Sequence, residues 1–194
     1  VMQPPGDALG PNAIFQFRFD ETTGRLSPNS PLKVEPAEFL GPRHFCFHPS
    51  LDTVYFTDEQ GCSVTGYHLD TAAGTLSAFQ TISTLPDGFS GRNTCSQIQI
   101  SPSGRFLYAP NRGHNSVAGF SVDAASGRLT ALGQTPTEAV PSAFSLDPQG
   151  KFLFAAGSES GSLASYGVNP DSGELSPLET YPVGKRPMGV LIVS

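Results

Sequence analysis

The sequence of 194 residues predicts an all-β fold, a β-propeller of four-stranded antiparallel blades. Three observations support this prediction. One turn motif recurs four times at near-constant spacing, a proline-containing motif alternates with it, and no segment shows the periodicity of an amphipathic helix. A repeat that holds four short strands and no helix is typical of a propeller blade, whereas a β-sandwich does not repeat its turn chemistry so regularly.

The first motif is an aromatic residue, a variable residue, an apolar residue and Asp or Asn, followed three residues later by Gly-x-Leu-Ser/Thr. Each of the four copies supplies one Asp or Asn and one Gly. These pairs are Asp20 and Gly24, Asp70 and Gly74, Asp123 and Gly127, and Asn169 and Gly173. Asp and Asn side chains close turns by accepting backbone hydrogen bonds, and glycine adopts positive φ without strain. We therefore expect structural turns at these positions.

The second motif is an apolar run, a turn that contains proline, and another apolar run. Its prolines are Pro49, Pro102 and Pro148, and a fourth run opens at Pro187. Runs of β-branched and aromatic residues between Gly, Pro, Asn, Asp and Ser are typical of strands. The two motifs together predict four strands in each repeat, named A to D, and the first complete repeat places them at 43–48, 53–58, 62–69 and 75–82.

In chain order, the sequence predicts one propeller domain over 1–194 that is only part of a ring. Its predicted parts are strands C and D of one blade at 13–34, complete blades at 42–82, 95–135 and 141–181, and the inner strand of a closing blade at 186–194. Propellers normally close and so protect their sheet edges. We therefore expect further blades to complete the ring, or a homo-oligomer in which two copies exchange their C-terminal strands.

Composition and charge exclude several kinds of partner. The net charge is −6 and the basic residues are scattered, which argues against nucleic acid or an anionic membrane as a partner. The three cysteines, Cys46, Cys62 and Cys95, cannot all pair with one another, and no Cys or His spacing typical of zinc is present. With no signal-peptide pattern at the first residues, we expect a cytoplasmic protein without a metal or cofactor.

Comparison of the blades separates turn chemistry from candidate function. The residue six before the A–B proline is Arg43, Ser96 or Ser142, the next is His44, Gln97 or Ala143, and the residue ten after the proline is Glu59, Arg112 or Ser158. Strand A is the innermost strand of a blade, and the end of strand B borders the same mouth of the channel. We therefore expect one cluster at this mouth, with three further residues on neighbouring loops. The cluster comprises Arg43, His44, Glu59, Gln97 and Arg112, and the loop residues are His114, Arg92 and Asn93.

Two guanidinium groups that face one pocket suit an anionic ligand, because each can hold a carboxylate or phosphate through two hydrogen bonds. A carboxylate or imidazole beside them can transfer a proton. We therefore assign proton transfer to Glu59, His44 and His114, and substrate binding to Arg43, Arg112, Gln97, Arg92 and Asn93. The structural alternative is a set of inter-blade ion pairs at the rim of the channel.

Several runs carry a family resemblance: Gly41-Pro42-Arg43-His44-Phe45-x-Phe47-His48-Pro49, Ser101-Pro102-x-Gly104-Arg105-Phe106-Leu107-Tyr108 with Asn111-Arg112-Gly113-His114, and Asp147-Pro148-x-Gly150-Lys151-Phe152-Leu153. They resemble the later blades of seven-bladed lactonases, namely propeller-type 6-phosphogluconolactonase and 3-carboxy-cis,cis-muconate lactonizing enzyme. The resemblance implies seven blades and a metal-independent site at the channel mouth. It assigns family site residues to Arg43, Glu59 and Arg112, whereas Gln97 and Ser142 depart from the family's acid and arginine.

The resemblance implies hydrolysis of an anionic sugar lactone, in the manner of 6-phosphogluconolactonase. Two alternatives stay open. The same arginines could hold a carboxylated muconate during ring closure, or the rim charges could belong to a propeller that binds a ligand or partner without catalysis.

Overall fold

The computed structural model describes residues 12–36 and 39–193, and all regular secondary structure in these ranges is β-strand. The strands form four consecutive sheets: a partial blade of β1 (Ile14–Asp20) and β2 (Arg25–Val34); a first blade of β3 (Pro42–Phe47), β4 (Thr53–Asp58), β5 (Ser63–Asp70) and β6 (Thr75–Ser83); a second blade of β7 (Gln99–Ile100), β8 (Phe106–Asn111), β9 (Ser116–Val122) and β10 (Leu129–Pro136); and a third blade of β11 (Pro141–Leu146), β12 (Phe152–Gly157), β13 (Ser162–Val168) and β14 (Leu175–Pro182).

Each sheet is an antiparallel meander in which strands consecutive in sequence pair with each other. This arrangement confirms the predicted all-β propeller fold. The apolar cores lie between neighbouring blades. Tyr55 of the first blade packs in one buried cluster with Leu107 of the second, and Tyr108 of the second blade packs with Phe144 of the third.

Two buried tyrosines also join neighbouring blades by hydrogen bonds. Tyr55 donates to the carbonyl oxygen of Gly127 at 2.6 Å, and Tyr108 donates to that of Gly173 at 2.7 Å. Both acceptors are glycines of the recurrent C–D turn, and both have a φ near 70°. The repeat therefore sets the turn within each blade and also the contact between blades.

Residues 186–193, predicted as part of the inner strand of a closing blade at 186–194, form no strand in this structure, and Ser194 lies outside the described residues. The physical reason is the lack of a partner. A strand is stabilised by hydrogen bonds to a neighbouring strand, and no strand among the described residues lies beside this segment. Met188, Leu191 and Val193 are accordingly exposed, with Leu191 at 87%.

Large apolar side chains are also exposed on the partial, first and third blades. Phe15, Phe17 and Phe19 alternate along β1 and are exposed, whereas Gln16 and Arg18 between them bond to the first blade. The exposed large apolar residues on the inner strand of the first blade are Phe45 and Phe47, and those on the third blade include Phe152 and Leu178. Within 12–36 and 39–193, no helix is long and apolar enough to span a membrane.

Candidate active site

Three charged residues from two neighbouring blades meet at one carboxylate oxygen. Arg43 donates from Nη1, and Arg112 donates from Nη2, to Oε1 of Glu59. Arg43 lies on β3, Glu59 directly follows β4, and Arg112 directly follows β8 of the second blade. The Glu59 side chain is 5% exposed, against 26% for Arg43 and 18% for Arg112. We call these three residues the charge cluster.

A β-bulge and two backbone hydrogen bonds position the charge cluster. The β3–β4 register shifts between Pro42 and Phe45, so that β3 gains one extra residue at Arg43 and His44. Such a bulge redirects side chains, and bulges are frequent beside active sites. The N–H of Glu59 donates to the carbonyl of Gly41 at 2.8 Å, and that of Arg112 donates to the carbonyl of Thr94 at 3.0 Å.

The third blade has the same backbone arrangement without the charges. Ser142 also lies at a register shift, and the N–H of Ser158 donates to the carbonyl of Val140 at 2.9 Å. The two serine hydroxyls lie 3.2 Å apart, where Arg43 and Glu59 meet in the first blade. Because a neutral pair fills the equivalent position, the backbone arrangement alone does not require the charges of the cluster.

The electrostatics of the cluster favour an ionised Glu59. Burial raises the pKa of its carboxyl group, whereas hydrogen bonding to Arg112 and the charges of Arg43 and Arg112 lower it, and the pKa lies below its usual value. Two guanidinium groups and one carboxylate leave a net charge of +1. The cluster therefore keeps a positive charge available for an anionic ligand.

His44 lies beside the cluster and is exposed. Its Nδ1 lies 3.2 Å from Nε of Arg43 and 3.2 Å from the carbonyl oxygen of Ser96. Burial of part of the ring and the charge of Arg43 lower the pKa of His44, although the hydrogen bond to Ser96 and the charge of Glu59 raise it. The imidazole is therefore predominantly neutral at pH 7 and able to accept a proton.

Asn93 and His114 lie on loops adjacent to Arg112. The Oδ1 atom of Asn93 accepts from the backbone N–H of Gly113 at 2.8 Å and from that of His114 at 3.0 Å. A Cβ atom at Gly113 would lie 1.9 Å from the carbonyl oxygen of Arg92, so only glycine fits this close approach. Nδ1 of His114 lies 2.8 Å from the hydroxyl of Ser116, and the ring packs edge-on against another aromatic ring. Asn93 thus orients the loop that carries Arg112 and His114.

Among the described residues, neither Gln97 nor Arg92 is hydrogen-bonded to the charge cluster. Gln97 accepts the backbone N–H of Phe144 at 2.7 Å through Oε1, which fastens the second blade to β11 of the third. The Arg92 side chain is exposed, and it makes no hydrogen bond or ion pair with any described residue. The structure thus joins Arg43, Glu59 and Arg112 directly and places His44 at their edge.

The blade comparison missed two buried polar residues that end strand B. Asn111 accepts from Thr84 at 2.7 Å and from Asn93 at 2.9 Å through Oδ1. The Oδ2 atom of Asp58 accepts from Ser63 and Thr65, each at 2.7 Å, and burial raises the pKa of this acid. One signal in the sequence identifies both Asp58 and Asn111. Each is a polar residue at the end of an apolar strand, at the position where the third blade has Gly157.

Within the described ranges, no group of three His, Cys, Asp or Glu residues is placed to hold a metal ion. The groups that meet at the candidate site are two guanidinium groups, one carboxylate and a neighbouring imidazole.

Comparison with known proteins gives concordant results. Residues 6–192 match the family model described as lactonase, 7-bladed beta-propeller. The chain is 37% identical over 124 residues to a 6-phosphogluconolactonase of Pectobacterium carotovorum, which covers 64% of this chain and 37% of the relative. It is 36% identical over 139 residues to a 6-phosphogluconolactonase of Klebsiella pneumoniae, which covers 72% of this chain and 42% of the relative.

A solved structure extends the comparison to the fold. The periplasmic gluconolactonase of Pseudomonas aeruginosa superimposes with a TM-score of 0.84 at 30% identity, over 90% of this chain and 49% of that protein. The chain thus spans 37% to 49% of the length of these three proteins. Since the family model covers nearly all of the chain, this protein belongs to the lactonase family of seven-bladed β-propellers.

Proposed function

We propose that the chain carries the anion-binding part of a lactonase active site and acts on an anionic sugar lactone of the 6-phosphogluconolactone type. The observation that carries this proposal is the convergence of Arg43 and Arg112, from neighbouring blades, on one buried carboxylate. The names of the similar proteins support the choice of lactone.

The arginines would bind and polarise the substrate. Arg43 is the more exposed of the two, so its guanidinium can rotate toward a ligand while Arg112 stays bonded to Glu59 and to the carbonyl of Cys95 at 3.0 Å. Attack of water on the lactone carbonyl places negative charge on its oxygen, and a fixed guanidinium group stabilises that charge. Ring opening then yields the hydroxy acid.

His44 is better suited than Glu59 to accept the proton from the attacking water. A base works best with a pKa near the working pH, whereas the pKa of Glu59 is depressed and its Oε1 atom already accepts from both arginines. We therefore assign Glu59 to positioning of Arg43 and Arg112. His114, two residues after Arg112 and oriented by Ser116 and the Asn93 loop, would serve as a second donor or acceptor.

We further propose that the chain functions in the cytoplasm. All three cysteines are free thiols in the structure, which is typical of a reducing compartment. One of the similar structures is that of a periplasmic protein, and recovery of this chain from the periplasm by cell fractionation would overturn the assignment.

The test is release of acid from 6-phosphogluconolactone, followed by pH-stat and corrected for spontaneous hydrolysis. We expect activity in the parent chain, and a loss of at least about tenfold in kcat for His44→Gln because a positioned base contributes on the order of 10²–10⁴-fold. Ser158→Ala, at the neutral equivalent of Glu59, is the matched control and should retain parental activity. An inactive parent that still binds 6-phosphogluconate would contradict the lactonase and support a non-catalytic binding propeller.

A further inference from the structure

Two of the three cysteines lie at the junction between the first and second blades. Cys62 precedes β5, and Cys95 precedes β7 and forms an isolated bridge with Asn111. The N–H of Cys62 donates to the carbonyl of Asp58 at 3.0 Å, and that of Cys95 donates to the carbonyl of Glu59 at 3.1 Å. Consecutive carbonyl groups of one chain segment therefore hold both cysteine backbones.

The two sulfur atoms share one polar network. The Asn93 side chain donates to Sγ of Cys62 at 3.3 Å and to Oδ1 of Asn111 at 2.9 Å. Sγ of Cys95 lies 3.2 Å from the Thr84 hydroxyl and 3.8 Å from the same Asn111 oxygen. The Thr84 hydroxyl also donates to the carbonyl oxygen of Cys62 at 2.9 Å. Thr84, Asn93 and Asn111 thus join the two cysteines in one network across the blade junction.

Cysteine is not the residue type that the other blades have at either position. Cys62 has a φ of 52°, and the equivalent residues of the second and third blades are Asn115 at 54° and Gly161 at 69°. Glycine and asparagine adopt this left-handed conformation most readily, whereas other side chains are strained there. Cys95 stands where the other two blades have Pro42 and Pro141. Turn chemistry therefore does not explain why the two thiols occur at these positions.

The two thiols differ in exposure and in acidity. Cys62 is half-buried, whereas Cys95 is fully buried. Hydrogen bonds from Cys95 and from Asn93 lower the pKa of Cys62 to about 6, although burial opposes them. The hydrogen bond to Cys62, together with burial, raises the pKa of Cys95. Cys62 is therefore the more acidic of the two thiols and the more readily converted to the nucleophilic thiolate.

Cys46 is an internal reference for these properties. It lies on β3, packed against the apolar core between the blades, and burial raises its pKa to about 12. A partly buried thiol with a raised pKa is mainly protonated, so it reacts slowly with oxidants.

We propose that Cys62 and Cys95 form a dithiol site that hydroperoxides oxidise to an inter-blade disulfide. The Cys62 thiolate attacks the terminal peroxide oxygen, the O–O bond breaks, and the leaving alkoxide takes a proton to become an alcohol or, from hydrogen peroxide, water. The sulfenic acid so formed on Cys62 is attacked by the sulfur of Cys95, and its hydroxyl group leaves with the Cys95 proton as water. Two thiols thus lose two electrons and two protons, and one hydroperoxide is reduced. This site does not depend on the lactonase activity.

The test is titration of the fully reduced chain with hydrogen peroxide, followed by intact mass and by peptide mapping without reductant. We expect the parent and Cys46→Ser alike to lose about 2 Da, with a peptide linked through Cys62 and Cys95. In Cys95→Ser, we expect dimedone to trap a sulfenic acid on Cys62. In Cys62→Ser, oxidation of the remaining thiols should be at least about tenfold slower. Circular dichroism establishes that each variant is folded.

Three results would overturn the proposal, and the parent chain alone can give each of them. The parent could gain oxygen atoms without losing two hydrogens. The linked peptides could contain Cys46. Finally, the alkylation rate of Cys62 by iodoacetamide at pH 7 could be no faster than that of Cys46.

Discussion

At the scale of single residues, Glu59 organises the candidate site because its one oxygen accepts from two arginines on different blades. Removing the carboxylate leaves two like charges facing each other, one of them on the largely buried Arg112. Loss of one partner from such a buried pair is more damaging than the net contribution of the pair suggests. The protonation state of Glu59 should therefore be visible in folding stability.

We predict that Glu59→Gln changes the pH dependence of unfolding. The pKa of Glu59 in the folded chain lies below 4.5, its ordinary value. Its contribution to stability is therefore complete above that pH and is lost as the pH falls through the folded-state pKa. The difference in unfolding free energy between parent and variant should be about 1–3 kcal/mol at pH 7 and should shrink on acidification to about pH 3.

Urea unfolding at a series of pH values measures this difference in unfolding free energy. The contributions of carboxylates that both chains contain cancel in the difference. Ser158→Ala is the control, and its difference from the parent should be small at every pH. A difference for Glu59→Gln that is constant from neutral to acid pH would contradict the ionised cluster.

Local and repeated chemistry could be predicted from the sequence at this scale. Asp20, Asp70, Asp123 and Asn169 each accept the backbone N–H groups of the residues two and three positions on, as predicted. The predicted positive φ at the four turn glycines is confirmed as well. Two features could not be predicted: the hydrogen bonds of Gly113 and His114 to Asn93, and the network that links Cys62 to Cys95. Each joins residues about twenty to thirty positions apart, and neither has a counterpart in another blade.

At the scale of secondary structure, the blades are joined by strand B of one blade and the C–D turn of the next. We predict that Tyr55→Phe lowers the unfolding free energy by about 1 kcal/mol, because it leaves the buried carbonyl of Gly127 without its hydrogen bond. Tyr108→Phe should have a similar effect at Gly173, and the two effects should add because they lie at different blade junctions.

Chemical denaturation of the two single variants and the double variant measures these effects. The third blade already has Phe154 at the equivalent position, so phenylalanine fits the strand and no change in fold is expected. Single variants as stable as the parent would show that the tyrosine hydroxyls do not fasten the blades.

Predicted strands are present wherever the chain supplies the neighbouring strand, whereas residues 186–193, for which the described residues supply none, form no strand. The apolar pattern of this segment indicates that it can form a strand. A strand is stabilised only when a neighbouring strand shares its backbone hydrogen bonds, and the pattern does not show whether that neighbour is present. The inner strand of the second blade is likewise only two residues long, Gln99–Ile100. There the predicted site residue Gln97 bonds to the next blade instead of to its own sheet.

At the scale of the whole molecule, both ends of the arc expose apolar side chains that in a propeller face another blade. The exposed fraction is 62% for Phe19 and 57% for Phe47 at one end, and 55% for Leu178 at the other. Contiguous apolar surface of this kind indicates an interface. We propose that further blades or a second copy cover these faces in the functional protein.

We predict that the 194-residue chain by itself self-associates through these faces. Light scattering should give a mass that exceeds 20.4 kDa and rises with concentration. The double substitution Phe17→Ser and Phe47→Ser should reduce the association, whereas Thr22→Ser, on an exposed turn, should not. A folded monomer at all concentrations would contradict association through the end faces.

The central claim is that Arg43 and Arg112, held by Glu59, form one binding site for an anion. Calorimetric titration with 6-phosphogluconate, the expected product, tests it most directly because binding requires no turnover. We predict that Arg43→Ala and Arg112→Ala each raise the Kd at least about tenfold, equivalent to about 1.4 kcal/mol, whereas Arg25→Ala on the exposed partial blade leaves the Kd unchanged. Equal affinity in all three variants, or an equal loss in Arg25→Ala, would contradict the claim.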